Sequence, residues 1–539
     1  MRNREKVSIP LLKPSQTILQ PLRQTFYHIL FLGVWLLTLY TGVIGTDFRS
    51  HWDERKLFKS IRESIPEGSV LPGWYNYPSM IYDLTVLSES PEILSLYLSD
   101  RSTFRDNMEK QLVGDDLRKL TLRARTVFLV IASLSALWTY LLVYVWTKQW
   151  PQALLSSAIL VSSWEYAYHA RWIAPDAILM QFGILTILLV FLALRSSGRR
   201  KFIWLIAAAV SAGLACGTKY FGGIFLVPVF LGAYKVLRDR KAGWNSCILL
   251  LLAVLVAFSV TFLVITPGTL LDTGRMIIDV RYEIGHYQTG DTGYTVNAGW
   301  QHLSLLFVYL FGVFFSKYLW ASLLFSVFVL VGLYMLLPKN WRSVETWIFL
   351  SVPLLFIPYV SQHRVMMVRN DLLLFPFLAI LSGRGMLVLW NSKFFQANWL
   401  IKIIVALGLL LMLLINFKWL YDAGKSISPK LTIDWSQKLP SYLLANKQTT
   451  FYLSSEVRNL VDTQGLPNVV SDPLLADKLV FVFEEVDHPL ANRPNVYDPI
   501  YGPFEVNLDY YPSWNEDERL VVMPMKAALP QKEFAFIYK

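Results

Sequence analysis

The sequence predicts a polytopic α-helical membrane protein with a small α/β domain at its C-terminal end. Of 539 residues, 54% are hydrophobic and only 17% are charged, against roughly 25% charged in ordinary soluble domains. Apolar runs of about 18 to 22 residues recur from residue 25 to residue 419, each long enough to cross a hydrocarbon core of about 30 Å as a helix. After residue 421 the composition changes, and short β-like runs replace the long apolar ones.

The first span, 25–45, follows a basic leader containing Arg2, Arg4, Lys6, Lys13 and Arg23. It is too long for the apolar core of a cleaved signal, and no small-residue cleavage site follows. It reads as an uncleaved signal anchor with a cytoplasmic N-terminus. Further spans are expected at 126–147, 152–169, 173–194, 202–218, 221–236, 246–266, 318–337, 345–361, 371–391 and 398–418, making about eleven in all.

This alternation puts the basic connections in the cytoplasm, as the positive-inside rule requires. They hold Arg195/Arg199/Arg200/Lys201, Lys235/Arg238/Arg240/Lys241, Lys339/Arg342 and Lys393. Much of the net charge of +11 is therefore topological rather than a sign of nucleic-acid binding. The segment 299–315 is apolar enough to cross. Crossing would move Lys339 and Arg342 outside, so an amphipathic or re-entrant helix on the outer face is expected.

Two domains result: a membrane domain, 1–421, with outer loops 46–125 and 267–317, and an extracytoplasmic domain, 422–539. Strands are expected in the runs 451–455, 479–486, 520–524 and 534–539, with a helix over 435–447. The aromatic-rich stretch 492–514 reads as a long ordered loop. Cys216 and Cys247 fall near opposite ends of their spans, which disfavours a disulfide.

Groups able to do chemistry gather on the outer side. Asp53 and Glu54 follow the first span. A positioned, partly desolvated carboxylate can take a proton from a hydroxyl or amine nucleophile. Tyr75 and Tyr77, in "GWYNYPSM", can wall a sugar or a lipid headgroup. "WEYAYHARWIAPDAI" brings Glu165, His169, Arg171 and Asp176 into one short connection. Asp176 falls inside the following span, where ionisable groups are expensive and point to function.

Lys219 is the only cation in "CGTKYFGG", and can meet a phosphate oxygen as a point charge. Arg364 and Arg369 break the positive-inside trend, and anion recognition is a reason to keep guanidinium groups outside. Glu283, His286 and Asp291 lie in a glycine-rich loop, read as covering the substrate. Their spacing is not diagnostic of a metal site, so no cofactor is assigned and a divalent metal is left open. No nucleotide-binding glycine pattern is found.

With these segments in this order, the chain resembles the GT-C class of membrane glycosyltransferases. It is similar to the bacterial group that includes protein mannosyltransferase-like and aminoarabinose transferase-like enzymes. The resemblance rests on "DE" at 53–54, "YNYP" at 75–78, "HARWIAPDA" at 169–177, "GTKYFGG" at 217–223 and the arginines before "LLLFPFLAIL", covering roughly residues 20–400. It implies a GT-C-like fold in the inner cell membrane and inverting transfer from a polyprenyl-phosphate sugar to a lipid, glycan or protein acceptor.

By the same resemblance, Asp53 is the general base and Glu54 its support. Asp176 shapes the acid cluster, and Tyr75 and Tyr77 line the cavity. Lys219, its neighbour Tyr220, and Arg364 or Arg369 meet the departing lipid phosphate. The alternatives are a lipid or polysaccharide transporter or flippase, in which the intramembrane charges line a path, and a polysaccharide polymerase or ligase. A transporter would be expected to show repeated halves, which the sequence lacks.

Overall fold

The computed structural model describes residues 14–47, 52–111, 115–241, 243–290, 295–316, 318–427, 435–458, 465–482, 520–523 and 533–537. The basic residues of 1–13, Asp291, the 492–514 segment and the side chain of Asp53 lie outside the described residues.

The helices run α1 Pro14–Ile44, α2 Trp52–Ser64, α3 Met80–Ser99, α4 Phe104–Gln111, α5 Asp115–Thr147, α6 Trp150–Ser162, α7 Trp164–His169, α8 Pro175–Arg195, α9 Arg200–Thr218, α10 Leu226–Arg240 and α11 Trp244–Ile265. They continue as α12 Gly268–Leu271, α13 Thr273–Thr289, α14 Trp300–Gly312, α15 Leu319–Asn340, α16 Val344–Ser361, α17 Phe375–Trp390, α18 Lys393–Ala397, α19 Trp399–Ile427, α20 Trp435–Ala445 and α21 Ser455–Arg458. Tight 3-10 turns lead into α10 (Tyr220–Phe225) and α17 (Val368–Leu374).

Among the described residues, 10 helices are long and apolar enough to cross a membrane, and they match ten of the expected spans. The remaining span, 152–169, is divided. Ser163 takes an extended backbone at φ −66°, ψ 133° and caps α7 by accepting from the Tyr166 N–H at 3.3 Å. Its hydroxyl also donates to the Phe314 carbonyl at 2.6 Å. An N-cap residue must leave helical geometry, so the apolar run becomes α6 and α7. At 13 residues, α14 is shorter than the roughly 20 needed for a span.

Burial orders the bundle. In α8, 72% of the span is buried, against 22% in α1, 11% in α11 and 17% in α19, so α8 is central and the others form the apolar periphery. Pro175 opens α8 at a position where no backbone N–H is needed, with Asp176 in the first turn, where the helix dipole favours an anion. Small residues bring α15 against α17. A Cβ at Gly332 would lie 2.0 Å from the Leu381 carbonyl oxygen, and one at Gly385 would lie 2.0 Å from that of Phe328. Without hydrophobic drive between helices in lipid, such close approach supplies the packing energy.

After α19 the strands β1 Phe451–Leu453, β2 Val469–Val470, β3 Lys478–Val482, β4 Leu520–Met523 and β5 Glu533–Ile537 form one sheet, ordered β2-β1-β3-β5-β4. Pairings are parallel except β4 with β5, and Phe451 sits opposite Lys478. Leu439 and Leu443 of α20 pack with Phe451, Leu453, Val457 and Val480 as a separate apolar cluster. Parallel neighbours need crossovers, and α20 and α21 flank β1 in the chain.

Candidate active site

Three segments far apart in the chain meet at Lys219. Lys219 is the extended residue between α9 and the 3-10 turn that follows it, the first turn of α8 carries Asp176, and the turn before α17 carries Arg369 and Asn370. Lys219 Nζ donates to Asp176 Oδ1 at 2.6 Å and to Asn370 Oδ1 at 2.5 Å. Arg369 Nε lies 4.0 Å from Asp176 Oδ2, and Arg369 donates to the Tyr77 hydroxyl at 3.3 Å. All four charged or amide groups are buried. Buried charges persist only when paired; Lys219 and Asp176 pair here, while Asp176 Oδ2 has Arg369 near it but makes no hydrogen bond among the described residues. Lys219 also faces the rings of Tyr77 and Phe221, at 5.6 and 5.2 Å from their centres.

One cavity of about 530 Å³ opens beside this cluster. Its lining includes the polar residues Asn76, Tyr77, Lys219, Glu283 and Tyr287 and the apolar residues Ile224, Ile284, Leu355 and Phe356. The "YNYP" loop is pinned there by its backbone. The Tyr75 N–H donates to Asp279 Oδ2 at 2.8 Å, and the Tyr75 carbonyl accepts from the Tyr220 hydroxyl at 2.8 Å. Asn370 donates to the Tyr287 hydroxyl at 3.1 Å. Burial, followed by the charge of Glu283, pushes the Tyr287 phenol above its ordinary range, so it stays protonated. Burial and the nearby Asp272 do the same to Tyr75.

Glu54 occupies a different place. Its carboxylate takes a two-pronged contact from Arg125, at 2.9 and 2.5 Å, with the side chains 2% and 1% exposed. Glu54 Oε1 also accepts from the Ile173 N–H at 3.1 Å, and Arg125 donates to the Thr46 carbonyl at 2.8 Å. Glu54 thus ties the head of α2 to the turn that leads to Asp176. Asp53 sits in the first turn of α2, one residue before it.

Glu165, His169 and Arg171, expected to line the cavity, are buried and are not among its lining residues. His169 Nε2 meets Glu165 Oε2 at 3.1 Å and stacks on Trp172, and Arg369 lies 5.6 Å from the Trp172 ring centre. The two outer arginines separate. Arg369 turns into the cluster, whereas Arg364 is exposed, and its backbone N–H donates to the Tyr287 carbonyl at 2.8 Å. His286 is half-buried, stacked on Tyr282 beside the cavity. Among the described residues, no group of three His, Cys, Asp or Glu could hold a metal ion.

Arg125, Asn370 and Tyr287 were not singled out from sequence as site residues. A lone arginine at the head of the apolar run "LRARTVFLV" was the available signal for the first. Asn370 lies beside Arg369 in the polar outer connection 361–376, and Tyr287 carries no local signal.

Residues 102–271 match the model of the Dolichyl-phosphate-mannose-protein mannosyltransferase family, a segment that includes Arg125, Asp176 and Lys219. The crystal structure of ArnT from Cupriavidus metallidurans in the apo state is similar, with a TM-score of 0.50 and 13% identity over 80% of this chain and 83% of that one. The structure of that protein bound to undecaprenyl phosphate aligns with a TM-score of 0.47 and 17% identity over 78% and 73% of the two chains. No curated protein matches the sequence. The chain shares the fold of the apo ArnT structure, and its segment 102–271 is similar to the protein mannosyltransferase family.

Proposed function

We propose that this chain is an integral-membrane glycosyltransferase that moves a hexose or pentose from a polyprenyl-phosphate donor to a lipid, glycan or protein acceptor. The observation that carries this reading is the cavity beside Lys219, whose wall combines that cation with apolar side chains such as Ile224, Leu355 and Phe356. An isoprenoid phosphate has the same two-part character. Lys219 has three N–H donors and spends two on Asp176 and Asn370. The third is available to a phosphate oxygen, with Arg369 alongside. Negative charge grows on that phosphate as the sugar leaves, and preorganised cations in a dry site stabilise it. The match of residues 102–271 to a dolichyl-phosphate-mannose family supports the same donor class.

In this reading the reaction is a single in-line displacement. Asp53 takes the proton from the acceptor hydroxyl or amine, the acceptor forms its bond to the sugar C1, and the bond from C1 to the phosphate oxygen breaks. The anomeric configuration inverts. Glu54, held by Arg125, fixes the helix turn that presents Asp53, while Asp176 orients Lys219. The site faces the extracytoplasmic side, with the N-terminus in the cytoplasm, α6 and α7 together making the eleventh crossing, and 422–539 forming an extracytoplasmic domain, because the basic connections then all lie inside.

The test is turnover of a radiolabelled polyprenyl-phosphate sugar by the protein in liposomes. Release of polyprenyl phosphate with label transferred to an acceptor supports the enzyme. Movement of the donor across the bilayer without turnover favours a transporter and sinks the proposal.

A further inference from the structure

We propose that Glu283 is a specificity-determining residue that recognises the transferred sugar, its carboxylate accepting hydrogen bonds from sugar hydroxyls in the cavity that holds Lys219. This rests on the polyprenyl-phosphate reading above and adds to it which group reads the sugar. Glu283 lines the cavity together with Lys219, so the space carries an acid and a base on its walls. A carboxylate there would repel the donor phosphate. It must face another part of the donor, one offering donors rather than acceptors. The hydroxyl groups of a sugar do this, and a carboxylate can accept from a vicinal pair.

Glu283 is held in place for the task. Asn76 donates to Oε1 at 2.5 Å, and among the described residues no other side chain is hydrogen-bonded to the carboxylate. Oε2 is left for a ligand. Asp279, Glu283 and Tyr287 recur every four residues on one face of α13. Asp279 grips the Tyr75 backbone and the Tyr287 hydroxyl accepts from Asn370, which anchors the helix on both sides of Glu283. The sugar then lies between Glu283 and the phosphate at Lys219, with C1 toward the cation.

The test measures binding to the full chain in nanodiscs, with two kinds of ligand. One is bare undecaprenyl phosphate. The other is undecaprenyl phosphate carrying mannose, glucose or arabinose. Wild type is expected to bind the bare lipid, and at least one sugar-bearing lipid more tightly. Glu283→Gln is expected to weaken that sugar-bearing lipid about 10- to 100-fold, as for hydrogen bonds to a charged group, while binding bare undecaprenyl phosphate at least as tightly as wild type does. Retained bare-lipid binding also shows that the variant is folded. Equal affinity of Glu283→Gln and wild type for the sugar-bearing lipids overturns the inference. So does a wild type that gains nothing from any of the three sugars. A wild type that binds no bare undecaprenyl phosphate instead overturns the donor reading beneath it.

Discussion

Lys219 and Asp176, 43 residues apart in the chain, share a hydrogen bond of 2.6 Å inside the bundle. Asp176 stands in the first turn of the most deeply buried span class, and Lys219 follows the end of α9. Neither charge is tolerable there alone. Together they form a fixed cation with one donor to spare, which is why the cluster is read as the phosphate end of the site.

Lys219→Ala is therefore expected to lower donor turnover by about 100-fold or more, on the scale of losing one oxyanion-type contact. Lys235→Ala is the comparison, because Lys235 only pairs with Asp239 on α10 at 2.7 Å. Turnover assays on both variants check this. Equal activity in the two would remove Lys219 from the chemistry.

Glu54 and Asp53 should fail in different ways. Glu54→Ala strands Arg125 as a buried charge, with a stability loss of about 3 to 5 kcal/mol, seen as a lowered unfolding midpoint in detergent. Replacing both members, Glu54→Leu with Arg125→Leu, should recover much of that loss. Asp53→Asn should leave the midpoint unchanged and remove turnover. A stable, fully active Glu54→Ala protein would contradict the role given to the pair.

Glu89, on α3, gives a stability signal tied to pH. It is buried, its Oε2 has only Arg123 at 3.9 Å, and burial pushes its carboxyl up to about 7 from 4.5. Its folded state binds a proton that the unfolded state has lost, so stability falls as pH rises through the window from 4.5 to about 7. The penalty above that window is roughly 3 kcal/mol at 1.36 kcal/mol per unit. Glu89→Gln should flatten this part of the profile and be the more stable protein at pH 8, checked by unfolding midpoints across pH. A profile identical to wild type would rule the assignment out.

Gly385→Ala should weaken the α15–α17 crossing by about 1 to 3 kcal/mol through overpacking. Gly408→Ala, on α19, is the control, since nothing lies within 4 Å of its added Cβ. Comparing the unfolding midpoints of the two variants is the check, and equal midpoints would mean the crossing is looser than described.

The spans were legible because a membrane imposes a length and an apolar composition that a sequence displays directly. So were the strands of the tail, whose short apolar runs coincide with β1, β3, β4 and β5. The break at Ser163 was not legible. A serine is tolerated inside an apolar helix, and the partner that draws it out, the Phe314 carbonyl, is 151 residues away. The site was legible as an inventory of unusual polar residues on one side. Its wiring was not, because each key contact joins distant segments: Glu54 with Arg125 across 71 residues, and Lys219 with Asn370 across 151. Arg364 and Arg369 could not be told apart by spacing, since only the 3-10 turn from Val368 to Leu374 sends one of them inward.

The most direct measurement compares Asp53→Asn with wild type for two quantities on the same preparation, binding of undecaprenyl phosphate and turnover of the labelled sugar donor. Unchanged lipid-phosphate binding with turnover lost is the expected result, since the phosphate end is intact and only proton removal from the acceptor is gone. Turnover at the wild-type rate would contradict the assignment of Asp53 as the base that works beside the Lys219 cluster.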